Sequence, residues 1–279
     1  MTFPRFSGMR PCLLLLALVL ATAPAAQVNV GAGGYAVEYA LGDNAPAYTF
    51  DSDVYAAGFY SATGLFHVFY GTDVQPSAAE GDSTKASALG ADLASAGRLP
   101  IATLGEDVTV NLFVPLGVEL GYRYFRVEPS LADGVEPDED DIETLHLGLA
   151  ALRVGGGAEA EVPLEGLPLA SALTGSASLT LGAGARADFD PLEASNQLGG
   201  AEGDGVDAYG LRTSTLTLQA KLDGVLGTDL GAILGYTLRT TRTDSTPLES
   251  VGDLVGVVTE ASDYTQLDRL HLVRVGVLF

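Results

Sequence analysis

The chain has 279 residues, with 14 Lys and Arg against 36 Asp and Glu, for a formal net charge of −22. A phosphate backbone demands a basic footprint, so this charge argues against a nucleic-acid partner. The composition, 47% hydrophobic with 35 Gly, argues against disorder, and the length is ample to bury a core.

At the start, Arg5 and Arg10 precede the apolar run Leu13 to Leu20, and Ala23-Pro24-Ala25 has the small-residue pattern of a cleavage site. A secretory signal peptide is therefore predicted over residues 1–25, with 26–279 as a single domain. Cys12, the one cysteine, lies in this leader, so the exported chain has no thiol or disulfide chemistry. No later segment holds 18 consecutive apolar residues, the length a spanning helix needs.

What recurs along the rest is alternation with period two, the pattern of half-buried strands. Eight strands are predicted, at 28–41, 52–71, 107–128, 143–163, 174–189, 207–222, 228–242 and 264–279. From Val108 the even positions are apolar (Val110, Leu112, Val114, Leu116, Val118, Leu120) and the odd ones carry Asn111, Glu119 and Arg123. Ala177, Leu179 and Leu181 oppose Ser178, Thr180 and Gly182 in the same way, and Leu234 and Leu238 oppose Gly235 and Arg239, with Ile233 the exception. The long join 72–106 carries a helix predicted from Ser83 through Ala96, stopped by Gly97 and Pro100.

Three features bear on the strand count. Pro115 lacks the N–H that a central strand uses. A turn at Val114 to Gly117 and another near Ala62 to Gly64 would raise the count to ten. Parity runs unbroken through Pro115, however, which favours eight. Between 143 and 163 the apolar positions switch from Leu145, Leu147 and Leu149 to Leu152 and Val154, which predicts a bulge.

Alternation alone does not say which face is outside. The polar face is Gly, Ser and Thr with isolated charges, whereas a solvated face carries dense Lys and Glu. Strands of about 17 residues at ~3.3 Å each, tilted by ~45°, span roughly 40 Å, enough to cross a membrane. The last strand presents Val273, Val275, Val277 and Phe279 on one face. This pattern resembles the small bacterial outer-membrane β-barrels of the OmpA/OmpX/OmpW type. The resemblance implies an all-β, closed, antiparallel, up-and-down transmembrane barrel in the outer membrane, with both termini periplasmic. It also implies an insertion signal (Val275, Val277, Phe279) read by the barrel-insertion machinery, and contact with outer-membrane lipid. Trp is absent, so Tyr35, Tyr39, Tyr60, Tyr70, Tyr122, Tyr124 and Tyr236 are predicted to supply the aromatic girdle.

The lumen of such a barrel is predicted to hold Glu119, Arg123, Arg153, Glu159, Glu161, Arg186, Lys221, Arg239 and Arg274. Charges in a narrow interior persist when paired, so a salt-bridged plug is expected, with a narrow pore or transporter as the alternative. The stretches Gly31–Ala36 and Gly182–Ala187 fit the loose G-x-G-x-x-G/A pattern but lack the strand-to-helix context that gives it meaning. His67, His146 and His271 are not spaced as a metal pair, and no G-x-S-x-G nucleophile motif occurs. Neither catalysis, a cofactor nor a transition metal is expected. The acidic segment Asp133 to Glu143 fails the EF-hand template, which leaves weak divalent-cation bridging to anionic headgroups as its expected chemistry.

Overall fold

Alternating apolar and small polar residues give each strand one dry and one mixed face, and such strands bury their backbone groups fully only by closing on themselves. The computed structural model describes residues 27–39, 48–61, 64–74, 84–105, 108–129, 143–164, 170–188, 208–248, 253, 256–257 and 264–278. They form a closed antiparallel barrel of ten strands. The strands are β1 (Gln27–Tyr39), β2 (Tyr48–Ser61), β3 (Gly64–Val74), β4 (Thr84–Leu104), β5 (Thr109–Pro129), β6 (Glu143–Pro163), β7 (Ala172–Asp188), β8 (Ala208–Asp223), β9 (Gly231–Pro247) and β10 (Tyr264–Leu278). Each pairs with its sequence neighbours, and β1 pairs with β10 to close the wall.

The register fixes the tilt. Following paired residues once around the barrel from Gln27 leads through Tyr60, Leu65, Ala94, Glu119, Ala151, Gly184, Leu211, Thr243 and Gln266. The circuit returns at Tyr39, the opposite end of the 13-residue β1. A stagger of that size requires steeply tilted strands. Residues far apart along the chain therefore meet at one height inside.

Ten strands replace the predicted eight for two reasons. The segment read as one strand at 52–71 is the hairpin β2–β3, with Ser61 paired to Gly64. Aromatic and alanine residues on both parities there hide the reversal. The predicted helix from Ser83 to Ala96 lies in a strand, β4 from Thr84 on. Its Ala and Leu residues favour a helix intrinsically, and Leu89 and Leu93, four apart, share a face in either conformation. Hydrogen bonding to β3 and β5 on both sides overrides that preference.

No turn interrupts β5 at Pro115, which is buried on the same face as Phe113 and Glu119. Pairing between β5 and β6 skips Val114 and Pro115, where a donor is missing. The bulge predicted in β6 is absent, for its register with β7 is continuous from Leu147 to Pro163. The parity switch arises because Leu147 is fully buried inside while Leu152 and Val154 face out. Inward leucines belong to an apolar layer within the lumen. Ile233 likewise faces in and is buried.

The strand ends that flank the four short joins (62–63, 105–108, 164–171 and 224–230), with Gln27 and Leu278, lie at one rim, and the strand ends that flank the five long joins (40–47, 75–83, 130–142, 189–207 and 248–263) lie at the other. The predicted leader (1–25), residues 133–142 of the acidic segment and Phe279 lie outside the described residues.

Candidate functional site

The inward faces of the ten strands converge in the middle of the lumen on a cluster of ionised side chains. Its hub is Asp92 of β4, only 1% exposed. Asp92 Oδ1 lies 2.7 Å from Arg123 Nη1, and its Oδ2 lies 2.7 Å from Arg239 Nη1 and 2.9 Å from His67 Nε2. Arg239 also donates to Glu119 Oε1 at 2.7 Å, and Arg153 Nη1 sits 3.2 Å from Glu119 Oε2. Each carboxylate oxygen thus meets a cation, the condition under which charges persist in a low-dielectric interior. Gly121, paired with Asp92 in the neighbouring strand, leaves the carboxylate its space.

Toward the long-join rim the lumen becomes apolar. Tyr35, Val37, Val54, Phe69, Phe125, Leu147, Leu270 and Leu272 pack as one buried cluster. Phe69 lies over Gly90, where a side chain would collide with its ring. The Arg123 guanidinium stacks 4.9 Å from the Phe69 centroid, tying the apolar layer to the ionic one. A polar group sits beside that layer. Tyr35 Oη donates to Asp268 Oδ2 (3.3 Å), Gln266 Nε2 donates to Asp268 Oδ1 (2.6 Å), and Arg186 donates to Gln266.

Toward the short-join rim the interior opens. Arg98 pairs with Glu159 at 2.9 Å with its side chain 49% exposed, and Lys221 pairs with Asp223 at 2.9 Å, both partners about one-third exposed. Thr174, Ser176 and Ser178 line this half and are only partly covered. Between the two regimes lies a cavity of about 60 Å³, bounded by members of the ionic cluster together with Arg274 and the threonines of β8 and β9.

Of the residues predicted to fill the lumen, Glu119, Arg123, Arg153 and Arg239 share the central cluster, and Arg274 borders the same cavity. Arg186 belongs to the separate group above it. Lys221 and Glu159 lie in ion pairs near the open rim, and Glu161 is exposed. Sequence reasoning missed the hub, Asp92, because it was assigned to a helix. It also missed Gln266 and Asp268, whose even positions in β10, shared with Arg274, could have found them.

The tyrosines predicted for the girdle lie on both faces of the wall. Tyr70 is exposed on the outer wall. Tyr122 and Tyr124 flank His146, with Tyr122 Oη 2.7 Å from His146 Nδ1 and the Tyr124 ring 4.9 Å from the imidazole. Tyr35 does not belong to the girdle. It is 2% exposed and packs inside, on the inward parity of β1 with Asn29 and Val37. The side chains of Tyr39 and Tyr60 lie outside the described residues. Val275 and Val277 are exposed on the outer wall.

The arrangement holds charge. His67 faces a carboxylate already bound by two arginines, so Asp92 is committed to the cluster. Among the described residues no group of three or more His, Cys, Asp or Glu is placed to hold a metal ion. No helix among them is long and apolar enough to cross a membrane, which leaves crossing by strands open.

No family model and no curated protein matches this chain. Among solved structures it is similar to the outer membrane protease OmpT from Escherichia coli, at 12% identity over 92% of this chain and 97% of that one, with a TM-score of 0.37. It is also similar to the translocator domain of the autotransporter NalP from Neisseria meningitidis, at 12% identity over 96% of this chain and 94% of that one, with a TM-score of 0.32. Likeness at this level transfers no activity, and the barrel described above stands on its own strand pairing.

Proposed function

We propose that the chain is exported and spans a bacterial outer membrane as a structural barrel with a closed lumen. The supporting observation is the inverted distribution of polarity. Leu152 is 72% exposed, Ile101 64% and Leu181 59%, while Arg123 and Asp92 are buried in the lumen. A soluble protein rarely exposes so large an apolar surface, whereas a bilayer solvates it. On this reading the leader at 1–25 directs export. The outward valines of β10, with Phe279, are read by the barrel-insertion machinery. Calcium bridges the acidic segment at 133–143 to anionic headgroups. Calcium should then raise the melting temperature or slow proteolysis of that segment, and neither change would remove this part of the reading.

The closed lumen is tested by refolding residues 26–279 in detergent, confirming a heat-dependent gel shift, and recording planar-bilayer conductance. Silence from an inserted barrel is expected. Reproducible unitary steps would overturn the closed lumen and favour a narrow pore, a second reading that the open short-join half and the central cavity support. A soluble monomer that fails to insert would overturn the membrane assignment itself.

A further inference from the structure

Two buried polar atoms at the centre of the lumen have no hydrogen-bond partner among the described residues, and both belong to side chains that line the same cavity. The first is Nδ1 of His67 on β3. His67 is 6% exposed, and its Nε2 lies 2.9 Å from Asp92 Oδ2. In a neutral imidazole the nitrogen that faces a carboxylate carries the proton, which leaves Nδ1 as an acceptor. The register explains why the wall supplies no donor. His67 is flanked by Asp92, already engaged through Nε2, and by Gly58, which has no side chain.

The second is Oγ1 of Thr215 on β8, a residue 6% exposed. Its neighbours in the wall are Thr180 and Arg239. Thr180 Oγ1 accepts from Arg153 Nη2 at 2.5 Å, and Arg239 Nη1 is turned toward Asp92 and Glu119. A buried donor or acceptor without a partner is costly, and native structures satisfy such groups with a ligand, an ion or water. The wall narrows the choice. An anion offers no proton to His67 Nδ1, and the guanidinium groups of Arg153 and Arg239 repel a cation. A neutral molecule that both donates and accepts suits each group. Thr237 Oγ1 accepts from Arg274 Nη2 at 2.9 Å and keeps its own hydroxyl proton to donate, so the same cavity offers such a molecule further partners. The volume of about 60 Å³ matches two water molecules, whose share of liquid volume is ≈ 30 Å³ each.

We propose that this cavity is a structural water site, holding two water molecules that hydrogen-bond to His67 Nδ1, to Thr215 Oγ1 and to each other, and so tie β3 to β8 across the lumen. Thr217 and Thr237 line the cavity, are half-buried and sit on the short-join side of Thr215 and Arg239, so the pair exchanges with solvent from the open half. The inference rests on the closed lumen proposed above, for in an open pore these groups would meet a continuous column of water. The two fail separately, because conductance tests that reading and the substitutions below test this one.

The test compares two threonines of β8 in residues 26–279 folded in detergent. Thr213 is 7% exposed and its Oγ1 also has no hydrogen-bond partner among the described residues, but it lies outside the cavity wall. Replacing an idle buried hydroxyl by an apolar group of the same shape is nearly neutral or stabilising, whereas replacing one that holds a water is destabilising. Thr213→Val should therefore leave the melting temperature unchanged or raise it, and Thr215→Val should lower it by about 2–4 °C. A Thr215→Val barrel as stable as the wild type, or a fall matched by Thr213→Val, would overturn the site. Should Thr215→Val not fold, crystals of the wild-type barrel grown in bromide supply a second measurement. Two waters in the cavity, within about 3.2 Å of His67 Nδ1 and Thr215 Oγ1, would support the proposal. An anomalous peak there, marking an anion, or an empty cavity would overturn it.

Discussion

The two halves of the lumen are built from the same alternating strands yet hold opposite interiors. Toward the long joins, Tyr35, Phe69, Phe125 and Leu147 exclude water and Arg123 seals the layer from below. Toward the short joins, Arg98, Glu159 and Lys221 stay partly exposed. The same residue types thus carry different energetic weight by position. An Arg–carboxylate contact in the closed half is isolated from solvent, whereas one in the open half is screened by it.

Substitutions on the two sides should therefore separate widely. Asp92→Asn leaves Arg123 and Arg239 without their shared carboxylate charge, and loss of one partner from a buried ionic group costs about 3–5 kcal/mol. The measurement is denaturant unfolding in detergent followed by far-UV circular dichroism, since the chain lacks Trp. A cost below ~1 kcal/mol would mean that water reaches the hub and the halves do not differ.

Gly90→Ala comes next. The added methyl would meet the Phe69 ring, which is confined by Tyr35, His67 and Arg123, so a loss of about 1–3 kcal/mol is expected from overpacking. Gly156→Ala makes the opposite comparison on the exposed outer wall of β6, where an added Cβ meets nothing within 4 Å. Relief of glycine's entropic penalty should raise stability by about 0.5–1 kcal/mol. The same unfolding midpoints check both, and equal losses would show that lumen packing is not what distinguishes the sites. The smallest effect belongs to Arg98→Gln in the open half, which should cost ~0.2–1 kcal/mol and less still at high salt. A cost like that of Asp92→Asn would show the open half to be dry.

Much of the fold was legible along the chain. The strands β5 to β10 announce themselves by alternation, and the inward parity of Glu119, Arg123, Arg239 and Arg274 follows from it. The features that escaped share one cause. Where both parities carry similar residues, as around Ala62 and along the alanine-rich β4, alternation loses its contrast and intrinsic propensity points to a helix. Asp92 fell in that blind stretch. Tyr35 was misread for a related reason, since an aromatic side chain suits both a membrane interface and a packed lumen. Leu147 carried a true signal, an apolar lumenal layer, that resembles a bulge when every inward position is assumed polar.

The sequence by itself determined that one face of each regular strand is apolar and the other mixed, because side-chain direction repeats locally every two residues. Only the tertiary structure decided that ten strands close the wall, and which charges meet inside it. Asp92 on β4 reaches Arg239 on β9 because the stagger on closure brings them to one height across the lumen. Alternation is a property of neighbours along the chain, whereas closure and stagger are properties of the whole circuit of paired strands.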